Sequence, residues 1–286
     1  MKNFMKKQVP NCFRRTPLSE LGLTRVAIDI NIYVYRFRGE EAWIVRFEKL
    51  FDMLKIHNIS PLCIFDSRSP VEKDTVRMQR GVQRLQTSKK IADLEYGLTR
   101  TSEETDSWSP ARTVDETESL ISRLKNKNAR ISTDMIVSLH ALMMERRIPF
   151  IYAPMEAETM CHDLCQTGVV DAVMSEDTDL YGYITPVVWS QFDLANECVL
   201  VASGSSIPLS LGLTKEEFLD FCILCGTDYN PAVPCLSFDI AFWLVQIFGS
   251  IEEIIAQLPE VEMGMLNHVR VRELYRTVRD GTIAPV

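Results

Sequence analysis

Histidine is scarce in this chain of 286 residues, with four copies, and no two of them stand at a spacing that suits a shared metal ion. His57, His140, His162 and His268 therefore read as surface or internally satisfied side chains rather than ligands. Long apolar runs are missing as well: no stretch approaches the ~20 residues that a membrane helix needs, and the N-terminus shows no signal-peptide core. No internal repeat is found. An excess of positive charge is also lacking, because 31 Lys/Arg face 39 Asp/Glu for a net charge of -8, which on its face argues against a polyanion partner. With 46% hydrophobic and 24% charged residues and a mean hydropathy of -0.02, the chain is neither disordered nor fibrous. At roughly 150 residues per domain, its length allows one large domain or two small ones.

The eight cysteines sit mostly in apolar runs such as Pro61-Leu-Cys-Ile-Phe65 and Phe221-Cys-Ile-Leu-Cys225, where a thiol packs as a small hydrophobe. That usage predicts a reducing, intracellular compartment. Cys222-x-x-Cys225 and Cys161-x-x-x-Cys165 fall inside helical patterns, so neither forms a zinc knuckle.

The average charge hides an asymmetry. Residues 68–147 carry 15 Lys/Arg against 12 Asp/Glu, while the remainder carries 16 against 27. Around this basic segment the apolar pattern alternates between strand and helix. Residues 1–24 form a basic arm. Arg25–Asp29 reads as a strand, 41–57 as an amphipathic helix, and Pro61–Asp66 as a second strand. Residues 71–96 look helical and polar. Residues 99–117, dense in Ser, Thr, Asp and Glu, read as a mobile loop, and helical pattern resumes near Ser132. Ile148–Ala153 and Val169–Met174 are further strands, separated by a helix from Glu156 to Gln166. Thr214-Lys-Glu-Glu217 and Ser250-Ile-Glu-Glu253 are capping-box signals opening C-terminal helices. The expected fold is α/β, a mostly parallel central sheet flanked by helices, with 25–70 and 148–205 as core, 71–147 as a helical insertion and 206–286 as a helical C-terminal region.

Each short apolar strand runs into acid: Asp29, Asp66, Glu156 with Glu158, and Asp177 with Asp179. In a parallel sheet the C-terminal strand ends share one edge, and ligands bind outside it. Asp228, in Cys-Gly-Thr-Asp-Tyr, adds a seventh. Taken singly, an acid in a strand-to-helix loop is ordinarily a helix N-cap. Seven together are not explained that way, and i, i+2 pairs share no helix face. Crowded carboxylates cannot all ionise without cations. Hard oxygen donors with no convergent His or Cys select Mg²⁺, with Mn²⁺ able to substitute, and two such ions about 4 Å apart form a clamp for phosphodiester hydrolysis. Beside this cluster Lys73, Arg77, Arg80 and Arg84 recur at helical spacing, a basic stripe suited to a phosphate backbone.

At these residues the sequence resembles the flap endonuclease family, the XPG-type structure-specific 5′ nucleases with a PIN-like fold. The matching segments are Val26-Ala-Ile-Asp29, with Tyr35 six residues on, Ile64-Phe-Asp66 followed by Lys73 and Arg80, Ala153-Pro-Met-Glu-Ala-Glu158, Ser175-Glu-Asp-Thr-Asp179 and Leu224-Cys-Gly-Thr-Asp-Tyr229. The resemblance spans about 25–257. It implies that Asp29, Asp66, Glu156, Glu158, Asp177, Asp179 and Asp228 hold two Mg²⁺. It implies that Lys73 and Arg80 stabilise the developing phosphoryl charge, that Tyr35 stacks on a nucleobase, and that 71–147 forms an arch around a single strand.

Three departures qualify it. The family's Met-Gly start is replaced by the basic arm. The Gly-x-Gly that grips a duplex and a K⁺ ion reads Pro234-Cys-Leu-Ser237, with Asp239-Ile240 where the family has Lys-Arg, so weakened or altered duplex anchoring is expected. No sliding-clamp motif is found. Such trimming resembles diverged viral members, including host-shutoff proteins that cut mRNA. The expectation is a Mg²⁺-dependent, monomeric nuclease acting on 5′ ends or flaps of branched DNA, in the nucleus or cytoplasm, of a host cell if viral. An endoribonuclease acting on mRNA and a catalytically silent nucleic-acid-binding scaffold are the alternatives.

Overall fold

The computed structural model describes every residue except 41, 69–72, 100–112, 260–262, 264–265 and 280–286. In chain order the elements are α1 (Lys2–Gln8), β1 (Phe13–Pro17), β2 (Arg25–Asp29), α2 (Ile30–Phe37), α3 (Trp43–Ile56), β3 (Ser60–Phe65), α4 (Asp74–Thr99), α5 (Val114–Asn128), α6 (Thr133–Glu145) and β4 (Phe150–Tyr152). There follow α7 (Ala157–Gln166), β5 (Ala172–Met174), the short α8 (Asp179–Gly182), β6 (Val187–Asp193), β7 (Cys198–Ser203), the short α9 (Ile207–Ser210), α10 (Lys215–Leu224), α11 (Phe238–Phe248), α12 (Ile251–Gln257) and α13 (His268–Arg279).

The strands form one sheet in the order β1-β7-β6-β5-β2-β3-β4, parallel from β6 through β4. The period-2 alternation of a strand sends successive side chains to opposite faces, and here each face has its own core. Val26, Ile28, Cys63, Phe65, Ala172, Met174 and Trp189 join α2, α3 and α6 on one side. Ala27, Ile64, Val173 and Val188 meet α7, α10, α11, α12 and α13 on the other. Burial on both faces explains why these strands read as continuous apolar runs. In α2 the buried stripe is Ile30, Tyr33, Val34 and Phe37, at spacings of three and four.

The basic arm is more than an arm. β1 pairs antiparallel with β7, and β7 with β6, adding an antiparallel edge to the parallel sheet. Ahead of it α1 buries Phe4 with its ring 5.3 Å from Phe221 and 5.5 Å from Phe242. The expected loop over 99–117 is corrected at both described ends. Thr99 ends α4, and Thr113 caps α5 in a reciprocal capping box with Glu116; the rest of the expected loop lies outside the described residues. The helices α4 and α5 pack against each other, with a Lys125–Glu95 ion pair at 2.6 Å, and much of α4 is exposed. Thr214 makes its full capping box, whereas Ser250 accepts from the Glu253 amide without the reciprocal bond.

Cys235 stands where the resembled family has the first glycine of its Gly-x-Gly. Its φ of 65° is the left-handed conformation that glycine favours, held here by a residue with a Cβ. Ser237 then caps α11 through its hydroxyl, 3.2 Å from the Ile240 amide. The exposed side of that helix carries Ile240, Trp243 and Ile247, with no cation among them.

Candidate active site

The parallel topology delivers the acids to one edge. Asp29 ends β2, Asp66 follows β3, Glu156 and Glu158 follow β4 at the start of α7, and Asp177 and Asp179 follow β5. Asp228 comes from a tight loop after α10. There Gly226 has φ 89°, and a Cβ would lie 2.7 Å from the Ala232 nitrogen, so glycine is required for that close approach. Asp29, Asp66, Glu156, Glu158, Asp177 and Asp228 line a single cavity of about 1030 Å³, together with Tyr35, Lys73, Arg77, Arg80 and Arg84. Asp179 lies one layer behind. Its amide donates to Asp177 Oδ1 at 2.8 Å, and its Oδ2 accepts from the Asp228 amide at 3.4 Å.

Several of these oxygens are already aimed by neutral donors. Ser175 donates to Asp29 at 3.2 Å, while Asn31 and the Ala157 amide donate to the two oxygens of Asp66 at 2.6 and 2.7 Å. Asp29 is 5% exposed, and burial, reinforced by Asp66 and Asp177, pushes its carboxyl up to about 8. Burial followed by Asp177 and Asp228 pushes Asp179 up to about 8 as well. Glu158 is raised well above the usual carboxylate range, by burial first and Asp177 second. Six acids on one wall and a seventh behind it are more negative charge than a desolvated site sustains unaided.

Lys73 supplies part of the answer. Instead of continuing the exposed stripe, it precedes α4 and turns inward, 6% exposed. Its Nζ lies 2.9 Å from Glu156 Oε2, 2.9 Å from Glu158 Oε1 and 3.3 Å from Asp228 Oδ2, with the Tyr229 ring centre 4.9 Å away. Burial pulls its pKa down, but Glu158, Tyr229, Glu156 and Asp228 outweigh that effect and hold the ammonium charged. One ammonium cannot neutralise three acids, and burial keeps Glu156 raised even beside Lys73. The expected four-cation stripe is therefore corrected: Arg77 and Arg80 stay exposed on α4 with Arg84, while Lys73 joins the acids. Arg80 reaches Asp228 at 3.3 Å, so that aspartate meets both cations. Tyr35 is 47% exposed on α2 with the Arg38 guanidinium 4.9 Å from its ring centre, a rim position rather than a core one.

Among the described residues no three carboxylate, imidazole or thiolate groups stand close enough to grip one ion as placed. The donor set nevertheless fits hard divalent cations, being oxygen throughout. The Lys73 ammonium, held by three carboxylates, marks where positive charge is already accepted.

Known proteins resemble this chain in sequence and in fold. Residues 147–228 match the family model of the XPG I-region, which holds Glu156, Glu158, Asp177, Asp179 and Asp228. Over this region and in its sequence relatives the chain is similar to the XPG-type nucleases. Sequence relatives include a probable RAD2-like endonuclease of invertebrate iridescent virus 6, 25% identical over 95% of this chain and 77% of its own length. A putative RAD2-like endonuclease of frog virus 3 is 28% identical over 90% and 77%. Flap endonuclease 1-1 of Paramecium tetraurelia is 26% identical over 99% and 75%. In fold the nuclease is similar to the catalytic core of Rad2 in complex with DNA substrate, with TM-score 0.67 and 19% identity over 98% of this chain and 80% of that one. It is also similar to flap endonuclease-1 from Methanococcus jannaschii, with TM-score 0.60 and 20% identity over 93% and 81%.

The nuclease also contains site residues that the sequence reading did not single out. Asn31 and Ser175 orient Asp66 and Asp29, and Tyr183, Tyr229 and Tyr275 lie behind the glutamates. Tyr229 sits in the Gly-Thr-Asp-Tyr element, and Tyr183 follows Asp179 at i+4, so a one-turn spacing was the available signal. No helix among the described residues is long and apolar enough to cross a membrane.

Proposed function

We propose that this nuclease hydrolyses phosphodiester bonds near 5′ ends or flaps of branched DNA. The acids Asp29, Asp66, Glu156, Glu158, Asp177, Asp179 and Asp228 would hold two Mg²⁺, or Mn²⁺ in their place. One observation carries the reading: a cluster of carboxylates and a row of exposed arginines line one cavity. The bound ions would supply Lewis-acid polarisation of the scissile phosphate and activation of water.

The remaining steps belong to the chain. Arg77, Arg80 and Arg84 are three points of attraction for a phosphate backbone, starting beside the acids. Arg80 exchanges Asp228 for phosphate as the strand arrives, and Lys73, freed from the glutamates, adds a second cation where phosphoryl charge develops. Tyr35 at the rim offers a ring face for the base beside the cleaved bond, which suits any base. Within 71–147, α4 and α5 form the arch over the strand, whereas α6 packs with α2 and α3 on the sheet. Residues 25–70 and 148–205, with β1 and α6 added to them, form the nuclease core, and 206–286 the region against which duplex would rest. There Asp239 and the apolar α11 face predict weak duplex anchoring.

DNA is favoured over RNA because flap endonucleases and Rad2-like enzymes are the relatives. The test is purified protein with Mg²⁺ on 5′-flap DNA, nicked duplex and capped RNA. Flap incision abolished by EDTA and lowered at least ~100-fold by Asp179→Ala is expected. RNA cutting without flap cleavage overturns the substrate, and activity unchanged in Asp179→Ala overturns the two-ion site. A silent scaffold would cut none of the three.

A further inference from the structure

Behind the two glutamates lies a buried tyrosine group that the phosphodiester chemistry does not by itself require. The Tyr183 hydroxyl, on a fully buried side chain, donates toward Glu158 Oε1 at 3.4 Å and lies 3.0 Å from the Tyr229 hydroxyl. Tyr229 in turn donates to Glu156 Oε2 at 3.3 Å. These are the same two oxygens that Lys73 holds at 2.9 Å. The cation-facing oxygen of each glutamate is thus fixed from one side by positive charge and from the other by a neutral hydroxyl.

Three contacts share two hydroxyl protons, since a phenol donates once. Tyr183 and Tyr229 can serve one glutamate each, or be linked to each other and serve one glutamate together. Burial raises both phenols well above their ordinary range, with nearby Glu158 adding to the effect, so both remain neutral donors.

The Tyr183 ring is itself held in place. Tyr275 of α13 packs 4.7 Å from it, centre to centre, and 5.6 Å from the Tyr229 ring. Tyr275 gets that close because residue 182 is glycine: a Cβ there would stand 2.5 Å from the Tyr275 ring. Behind this wedge, Arg272 locks α13 to the 3% exposed Asp220 with two contacts of 2.5 Å.

We propose that Tyr183 is a positioning residue for the cation site: by donating to Glu158 directly, or to Tyr229 and so to Glu156, it sets how tightly the glutamate pair holds a divalent ion, and α13 fixes it by way of Tyr275. The inference rests on the carboxylates binding divalent cations, as the proposed function has it, but not on which nucleic acid is cut. Hydrogen-bonded partners behind a metal's ligands ordinarily contribute roughly 10–100-fold in affinity.

The test is Tyr183→Phe, which keeps the ring and its packing and removes the hydroxyl. Mn²⁺ binding is measured by titration calorimetry, alongside thermal unfolding in EDTA and steady-state cleavage of 5′-flap DNA. Expected is Mn²⁺ affinity weakened by about 10-fold, a matching rise in the Mg²⁺ needed for half-maximal rate, and an unchanged KM for DNA at saturating Mg²⁺. Unchanged Mn²⁺ affinity overturns the proposal, as does an unfolding midpoint lowered in EDTA with affinity intact, which is a merely structural role. A wild-type protein that binds Mn²⁺ but cuts no flap fails the substrate reading while leaving the Tyr183 comparison decisive. One that binds no Mn²⁺ overturns both.

Discussion

Replacing Lys73 by Met separates the lysine's role inside the acid cluster from any role toward substrate. The side chains of Lys73, Glu156 and Glu158 are 8%, 9% and 7% exposed, so the charges are desolvated and the ammonium is their close counter-charge. Removing one partner of such a buried group leaves the others uncompensated and costs about 4 kcal/mol. At roughly 3 °C per kcal/mol for a chain of this size, that is a fall of about 12 °C in Tm. Part of the loss is absorbed at low pH, because Glu156 and Glu158 are already raised and can protonate instead. The fall in EDTA is therefore smaller at pH 6 than at pH 8. In saturating Mg²⁺ most of the difference between variant and wild type disappears, since divalent charge replaces the missing ammonium. Differential scanning fluorimetry with EDTA and with Mg²⁺ at both pH values measures it. Equal losses with and without Mg²⁺, or none in either, refute the reasoning.

Other perturbations follow from the same contacts. Asp29 and Asp179 are raised from an ordinary 3.8 to about 8, so the folded metal-free protein keeps protons that the unfolded chain has released. Their contribution is fully present at low pH and is lost as pH rises through about 8; Tm in EDTA falls from pH 5 to 8 relative to an Asp29→Asn/Asp179→Asn variant, and a Tm difference that is flat or rises is the contrary result. Arg272→Leu strands the buried Asp220 and lowers stability by about 4 kcal/mol, whereas Arg272→Leu with Asp220→Leu recovers most of it in urea titrations. If the double variant is as unstable as the single one, the ion pair is not the cause. Cys235→Gly relieves a left-handed residue at ~1–2 kcal/mol but gives back ~0.5–1 in chain freedom, for a net gain of about 0.5 kcal/mol, seen as a higher urea midpoint without a change in m. A loss there means the turn does not strain the cysteine.

What was legible in the sequence was what depends on local pattern. Runs such as Val26-Ala-Ile and Ala172-Val-Met are strands because both faces are covered, and their terminal acids follow to one edge from the parallel topology alone. Thr214-x-x-Glu217 announced α10, and the identical signal in Thr113-x-x-Glu116 opens α5, where the polar composition of 99–117 masked it. The antiparallel edge was harder to see. Arg14 and Arg15 of β1 are exposed and Thr16 is buried, so the strand carries almost no apolar signal and exists through pairing with β7. Lys73 lies one residue before α4, and spacing alone cannot tell a cation that begins a helical stripe from one that turns inward. Tyr183, Tyr229 and Tyr275 come from three separate parts of the chain and meet only in the folded state.

The misleading number was the net charge of -8. It averages two systems that the fold separates: acids gathered on one sheet edge, and cations lifted above them on α4. Asp228 joins the two, accepting from Lys73 at 3.3 Å and from Arg80 at 3.3 Å, on a loop whose shape Gly226 permits. Among the described residues, the start of α4 is tied to the acids by charge. Of the helix's first two turns, Lys73 at their base is the buried cation, while Arg77 and Arg80 face the cavity. An electrostatic anchor of this kind holds in water-poor surroundings and yields to a stronger cation or to phosphate. The same contacts that partly neutralise the acids therefore keep the arginine row next to them, lining one cavity with the carboxylates.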